Sequence, residues 1–303
     1  MKLKKVVAVF SAIMMACSVQ IVANAIGCDE CDGYIEDTSE TNIVVDLVDE
    51  YIDLYPQYKD EILETVCIIT STEDYCFVSS IDMARAYELV QNNLDFLIFS
   101  LTDTGIDTQG LSNGVYTADY TVPVVKQSKN YNCGIAAALQ ALIGDGFLPN
   151  TSSNKSATMQ QSIEDMIDAN HSVSYADHQY ASLVEYALDE YSNDSYTLLI
   201  VTTYTQSSMM NKMRESLRNG YCPVVYVDDT SYLSYYGSNN SYVHYLTVST
   251  INDLTGMVTV VDPFNSAVIS GGSSSFGGTH QVTYDELMGG IGTSNGWVIC
   301  YEN

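Results

Sequence analysis

The chain has 303 residues, 46% of them apolar, and 38 acidic side chains against 11 basic ones give a formal net charge of −27. That surplus excludes nucleic acid as a partner, because phosphate binding needs a basic surface, and an anionic membrane face is equally unfavourable. The length allows one or two domains with enough apolar material for a proper core.

Residues 1–25 read as a targeting segment. Lys2, Lys4 and Lys5 form a charged start, residues 6–16 are apolar, and Ala23-Asn24-Ala25 is a small-residue cleavage site. Export with cleavage after Ala25 is expected, placing the mature chain outside the cell. A lipid anchor at Cys28, within Ala-Ile-Gly-Cys, is the rival reading. Three of the 11 basic residues lie in this segment, which leaves eight against the 38 acidic ones. Such a charge serves solubility; steering of cationic peptides is the sharper alternative. No later stretch is long and apolar enough to span a bilayer. Of eight cysteines, Cys17 leaves with the signal, and the odd remainder leaves one thiol over. Cys67 and Cys76 are close enough in sequence to pair locally. Cys28-x-x-Cys31 lacks the second pair a zinc site needs and reads as a local bridge or a frayed tail.

Residues 28–41 are an acidic, polar leader. Apolar residues at helical spacing predict a helix over 42–55, which Pro56 breaks. Two more helices are predicted over 58–70 and 80–100, with Asp82 in the first turn of the latter. The turn-rich stretch 106–114 marks a boundary. The expected organisation is therefore a signal at 1–25, an acidic leader and helical module at 26–114, and a second domain at 115–303. The helical module is either a propeptide that covers a cleft or an accessory module. Beyond it, a strand is predicted over 116–125, with Pro123 suggesting a sheet edge. Helices follow at 159–170, 180–191 and 209–219, and strands at 196–204 and 223–227. The Tyr-, Ser- and Asn-rich loop 228–241 is either plain surface or the lining of a substrate cleft. The glycine- and serine-rich stretch 270–278 is flexible by composition; 282–288 is a short helix or turn, and 297–301 a closing strand.

The chemistry concentrates in two stretches. The first turns helical at Cys133, where a run of Ala and Leu begins. A thiol in the first turn of a helix feels the partial positive charge of the N-terminus, which lowers its pKa and favours the thiolate. Gln127, six residues upstream, carries a side-chain amide able to donate to an oxyanion beside the sulfur. The second stretch reads as a β-hairpin, 242–251 and 257–264, around the polar turn Asn252-Asp253-Leu254-Thr255-Gly256. An odd-length loop there puts His244 and Asp262 on one face, and a slip of one residue separates them. The expected constellation is Cys133 as nucleophile, His244 as base and Asp262 as orienter of the imidazole. The structural alternatives are a buried inert cysteine, a core histidine and a turn-forming Asp-Pro. His280 is a rival base, although it follows a glycine-rich loop. His171 and His178 with Asp177 lack helical ligand spacing, so no metal centre and no cofactor are expected.

The stretches VPVVKQSKNYNCGIAAALQAL and VHYLTVSTINDLTGMVTVVDPF together resemble the C39-like branch of the papain-like cysteine peptidases. The order Gln127, Cys133, His244, Asp262 matches, as do the glycine after the cysteine and the Asp-Pro-Phe after the second hairpin strand. Papain itself has Asn where this chain has Asp262. The helix, glycine and strand of residues 213–227 also match; the likeness covers roughly 116–303 and does not reach the N-terminal third. It implies an α+β, papain-like fold, a Cys helix packed on an antiparallel sheet carrying His and Asp. It also implies peptide or protein substrates. The phosphate-binding loop of the transporters that carry a C39 domain is missing, so their cleavage after paired glycines is not carried over. Two other activities fit the same residues: an amidase or acyl transferase acting on cell-wall or other amides, and an inactive peptidase-like binding module.

Overall fold

A computed structural model describes residues 41–72, 83–102, 114–171, 180–193, 196–200, 206–292 and 297–301. The proposed signal, the leader up to residue 40, Cys28, Cys31, Cys76, Asp82, Asp177, His178, and the boundary stretch up to residue 113 lie outside them. The chain divides into two compact units, Met1–Gln91 and Asn92–Asn303. Among the described residues no helix is long and apolar enough to cross a membrane.

In the first unit, α1 (Thr41–Leu54) and α2 (Lys59–Ser71) pack together across a 3-10 turn at Pro56–Tyr58. Proline lacks the N–H an α-helix interior needs, so the break falls where the sequence puts it. Val44, Leu47, Val48 and Tyr51 form the buried stripe of α1, and Ile62, Val66 and Ile69 that of α2. A third helix, α3 (Met83–Thr102), runs across the division, so that Asn93 belongs to the larger unit.

The larger unit is a mixed helical and antiparallel-sheet structure. Its elements run β1 (Val115–Thr117), α4 (Cys133–Gly144), α5 (Ala157–His171), α6 (Ala181–Ser192), β2 (Tyr196–Ile200) and α7 (Gln206–Arg218), then β3 (Val224–Val227), β4 (His244–Asn252), β5 (Met257–Asp262), β6 (Gly278–Thr283), α8 (Tyr284–Ile291) and β7 (Trp297–Tyr301). The strands form one seven-stranded sheet in the order β2-β7-β3-β4-β5-β6, with β1 paired to β4. Every pairing is antiparallel. Strand β4 is the longest, and its first half pairs with β3 while its second half pairs with β1.

Helix α4 is apolar on every side but for Gln140 and is buried along its whole length; Gln140 is satisfied by the Val125 carbonyl and the Thr247 hydroxyl. It packs on β4 and α6. Thr247 of β4 reaches it by a hydrogen bond from Oγ1 to the Ala137 carbonyl at 2.9 Å. The pleat turns the flanking Leu246 and Val248 to the other face, and both are fully buried, so this part of the sheet is covered on both sides. Gly134 allows the helix to approach so closely, since a Cβ there would stand 2.5 Å from a Val184 methyl. Edge strand β2 has its backbone satisfied by side chains. Asp189, Glu185 and Asn93 accept from the N–H groups of Tyr196, Leu198 and Ile200 at 3.0, 2.7 and 2.9 Å. A free edge would invite pairing with another chain.

A buried ion pair ties α7 to the β4–β5 turn. Arg214 donates from Nε and Nη2 to Asp253 Oδ1 at 3.0 and 2.8 Å, and its guanidinium lies over the Tyr284 ring. Both charged side chains are under 10% exposed. Breaking such a pair leaves a buried charge alone, so Asp253→Ala is expected to cost about 3–5 kcal/mol. Urea unfolding checks it, and Arg214→Met combined with Asp253→Leu should recover most of the loss.

Two sequence expectations change. The predicted strand over 116–125 pairs only as β1, because Pro123 lacks an N–H and the segment after Thr117 makes other backbone bonds. Ala118 donates to Ser249, Asp119 to the Gly220 carbonyl and Tyr120 to the Gly144 carbonyl. In addition, β6 lies in Gly-Thr-His-Gln-Val-Thr, where no strand was predicted, and the helix after it begins at Tyr284 rather than 282. Thr283 caps that helix by a reciprocal box with Glu286.

Candidate active site

Cys133 is the first residue of α4, His244 the first of β4, and Asp262 the last of β5. All three are buried, at 8%, 2% and 0% exposure. The imidazole stands between the other two: His244 Nε2 meets Asp262 Oδ1 at 2.8 Å, and Cys133 and His244 lie close enough for each to shift the pKa of the other. Nε2 is thus committed to the carboxylate.

The hairpin achieves this differently from the expected odd-length loop. Its loop has four residues, 253–256, with Asn252 opposite Met257. Carried straight down the ladder, that register would set Asp262 opposite Thr247, on the face away from His244. A bulge between Val248 and Thr250 slips the pairing by one, so that Thr247 stands opposite Val261. Asp262 thereby falls across from Leu246 and shares a face with His244.

Asp262 is fully satisfied. Oδ1 also accepts from the Phe264 N–H at 2.7 Å, and Oδ2 accepts from the hydroxyls of Tyr235 and Tyr236 at 3.0 and 2.9 Å. The turn-forming and orienting readings of this residue therefore coexist: the Asp-Pro turn holds the carboxylate that the histidine meets. Both tyrosines come from the loop 228–241, where residue type alone did not single them out. Burial, then the charge of Asp262, raises the pKa of each phenol, so both remain donors.

The charges of the site reinforce one another. Burial alone pushes the Cys133 thiol up, but the charge on His244, a hydrogen bond from its ring, and the backbone N–H groups of Tyr245 and Gly134 bring it below its ordinary value. Burial pulls the His244 imidazole down, yet Asp262 and Cys133 outweigh it and raise it to about 10. Both shifts run toward the charged forms, a thiolate beside an imidazolium. Cys222, by contrast, is a free thiol whose pKa is raised well above normal by burial and by the charge of Asp145.

Gln127 lies on the loop that enters α4 and is fully buried. Its Nε2 donates to the Lys129 carbonyl at 2.7 Å, which fixes the orientation of the amide. One of the two N–H groups of this amide is therefore turned back on the loop, which leaves the other for an oxyanion. Oε1 has no hydrogen-bond partner among the described residues. His280, the rival base, is engaged elsewhere: its Nε2 bonds the Phe276 carbonyl at 2.8 Å, and its ring stacks on Tyr235 at 3.8 Å. His171 sets its ring edge-on to Tyr186.

Behind the imidazole stands an aromatic group. Phe264 and Tyr236 lie 5.9 and 6.4 Å from the His244 ring, and Phe276 packs on both. The glycine-rich stretch that composition marked as flexible is packed against this group. A Cβ at Gly272 would reach within 2.1 Å of the Phe264 ring, and one at Gly277 within 2.1 Å of the Phe264 carbonyl oxygen. Backbone cannot swing aside as a side chain can. Gly277→Ala is expected to cost about 1–3 kcal/mol through overpacking and to lower kcat by shifting the segment after Asp262. Thermal melting and steady-state kinetics on one preparation check both effects.

A model of the Peptidase_C39 like family matches residues 120–274, just over half of the chain. The chain belongs to the Peptidase_C39-like family. That membership supports a peptidase, of the cysteine type the family suggests. The matched span takes in Gln127, Cys133, His244 and Asp262, and it ends before β6, α8 and β7. No curated protein matches the sequence.

Proposed function

We propose that this member of the C39-like family is an exported, papain-like cysteine peptidase that cleaves peptide bonds at Cys133. The observation that carries the reading is the contact of His244 Nε2 with the buried Asp262 carboxylate, beside a thiol whose pKa the imidazole lowers.

In this mechanism the thiolate attacks the peptide carbonyl carbon, and the oxyanion is met by the Cys133 N–H and the remaining N–H of Gln127. Collapse breaks the C–N bond, and the leaving amine takes the proton held by His244. The neutral imidazole then accepts a proton from water, whose oxygen attacks the thioester; the acid leaves and the thiolate–imidazolium pair returns. Asp262, fixed by Tyr235, Tyr236 and the Phe264 N–H, orients the ring throughout. No step calls on a cofactor.

Digestion of a denatured protein and of peptidoglycan fragments, with product analysis by mass spectrometry, tests the substrate class. New α-amino ends on the protein are expected. Release only from peptidoglycan replaces peptidase by cell-wall amidase, and a thiol-directed probe that fails to label Cys133 turns the reading to an inactive binding module. The helical N-terminal unit is proposed as a propeptide. A fully active secreted protein that still begins at Ile26 overturns that part, leaving an accessory module.

A further inference from the structure

Resting on the reading of Gln127 as an oxyanion donor, we infer that Gln160 is the positioning residue that holds this donor against the Cys133 helix. The Gln127 side chain is held by one hydrogen bond, to Lys129, among the described residues. Its aim therefore depends on the backbone that carries it. That backbone is clamped from two sides. On one side the Gln127 N–H donates to the Pro263 carbonyl at 2.8 Å, and its own carbonyl accepts from Asn265 Nδ2 at 2.8 Å. This ties Gln127 to the segment just past Asp262.

On the other side stands Gln160 of α5, fully buried. Its Nε2 donates to the Lys126 carbonyl at 2.8 Å, and its Oε1 accepts from the Ser128 N–H at 2.9 Å. One amide thus grips the peptide units on both flanks of Gln127. The same Oε1 accepts from Asn132 Nδ2 at 3.0 Å, on the residue directly before Cys133. A single side chain therefore sets the spacing between the two proposed oxyanion donors.

Glu164, one turn further along α5 and 1% exposed, completes the arrangement. It accepts from Asn132 Nδ2 at 3.0 Å and pairs with the Lys129 ammonium. Buried polar networks of this kind fix one geometry when every member is satisfied. The buried stripe of α5 is Gln160, Ile163, Glu164 and Ile167. Two polar residues hold core positions in an otherwise amphipathic helix, which costs stability unless their partners matter.

The test compares Gln127→Ala, Gln160→Met and Asn265→Ala with the parent enzyme, alone and with each positioning variant combined with Gln127→Ala. Gln160→Met keeps volume and removes the clamp; Asn265→Ala loosens the same loop from a half-exposed site, so it carries the test should the first variant not fold. Misplacing a donor by a fraction of an ångström is expected to lower kcat by about ten- to a hundredfold. KM and the pH dependence of Cys133 alkylation should stay within twofold of the parent, an outcome general loosening of the site would not give. Combined with Gln127→Ala, neither positioning variant should lower kcat further. Parent-like kcat in folded Gln160→Met, with Gln127→Ala impaired, overturns this inference alone, as do multiplicative losses in the combined variants. Parent-like kcat in Gln127→Ala itself removes the oxyanion reading and this inference with it.

Discussion

Replacing Cys133 by alanine is expected to remove peptide hydrolysis, a loss of roughly 10⁵-fold or more, since residues acting as one catalytic unit fail together. The fold should survive. The side chain stands at the first position of a helix whose other residues supply its packing, and alanine is the best helix former. Cys133→Ser is the sharper control, for it keeps size and a hydrogen bond but places a hydroxyl where a thiolate stood. It should be as inactive as the alanine variant at every pH. Loss of activity with an unchanged melting temperature, and loss of iodoacetamide labelling at the peptide containing residue 133, are the measurements. Equal turnover by the alanine variant removes the nucleophile.

The second largest effect belongs to Asp262. Asp262→Asn keeps the shape but gives up the charge that faces His244, and a fall in kcat of roughly 10²–10⁴-fold is expected, as for the orienting carboxylate of other triads. The sign of the accompanying pH change follows from the imidazole. Burial lowers its pKa, while Asp262 and Cys133 raise it to about 10. With the carboxylate gone, the alkaline limb of kcat/KM should move from near 10 toward the ordinary histidine value of about 6.5. The variant is therefore most impaired at mildly alkaline pH. Stability follows the same linkage: a raised imidazole pKa contributes fully below about 6.5 and is lost as the pH rises through 10. The stability gap between parent and variant should narrow over that window.

Much of this site was legible before any coordinates. The helix start at Cys133, the strand that opens with His244 and the Asp-Pro end of its partner each follow from local pattern, and those elements lie within two residues of expectation. The long helices were legible too, because a buried stripe repeats with the helical period. Hidden were features that depend on distant backbone. The hairpin register turned on a bulge near Ser249, and no residue type there announces one. Strand β6 exposes Thr279, Gln281 and Thr283 and buries only Val282 fully, with Gly278 and His280 half-buried, so its sequence resembles the turn-rich stretch before it. Gly277 reads as flexibility in sequence and as close packing in space, since both uses call for the missing side chain. The polar pair Gln160 and Glu164 did leave a trace, polar residues on the apolar stripe of α5, visible only once that stripe is drawn.

The proposed chemistry requires Cys133 to rest as a thiolate because His244 rests as an imidazolium. The rate of Cys133 alkylation by iodoacetamide as a function of pH, in the parent and in His244→Ala, tests it most directly. The parent thiol is expected to titrate below its ordinary value and the variant thiol above it, where the imidazole no longer offsets burial. The same ordinary thiol titration in both proteins would contradict it.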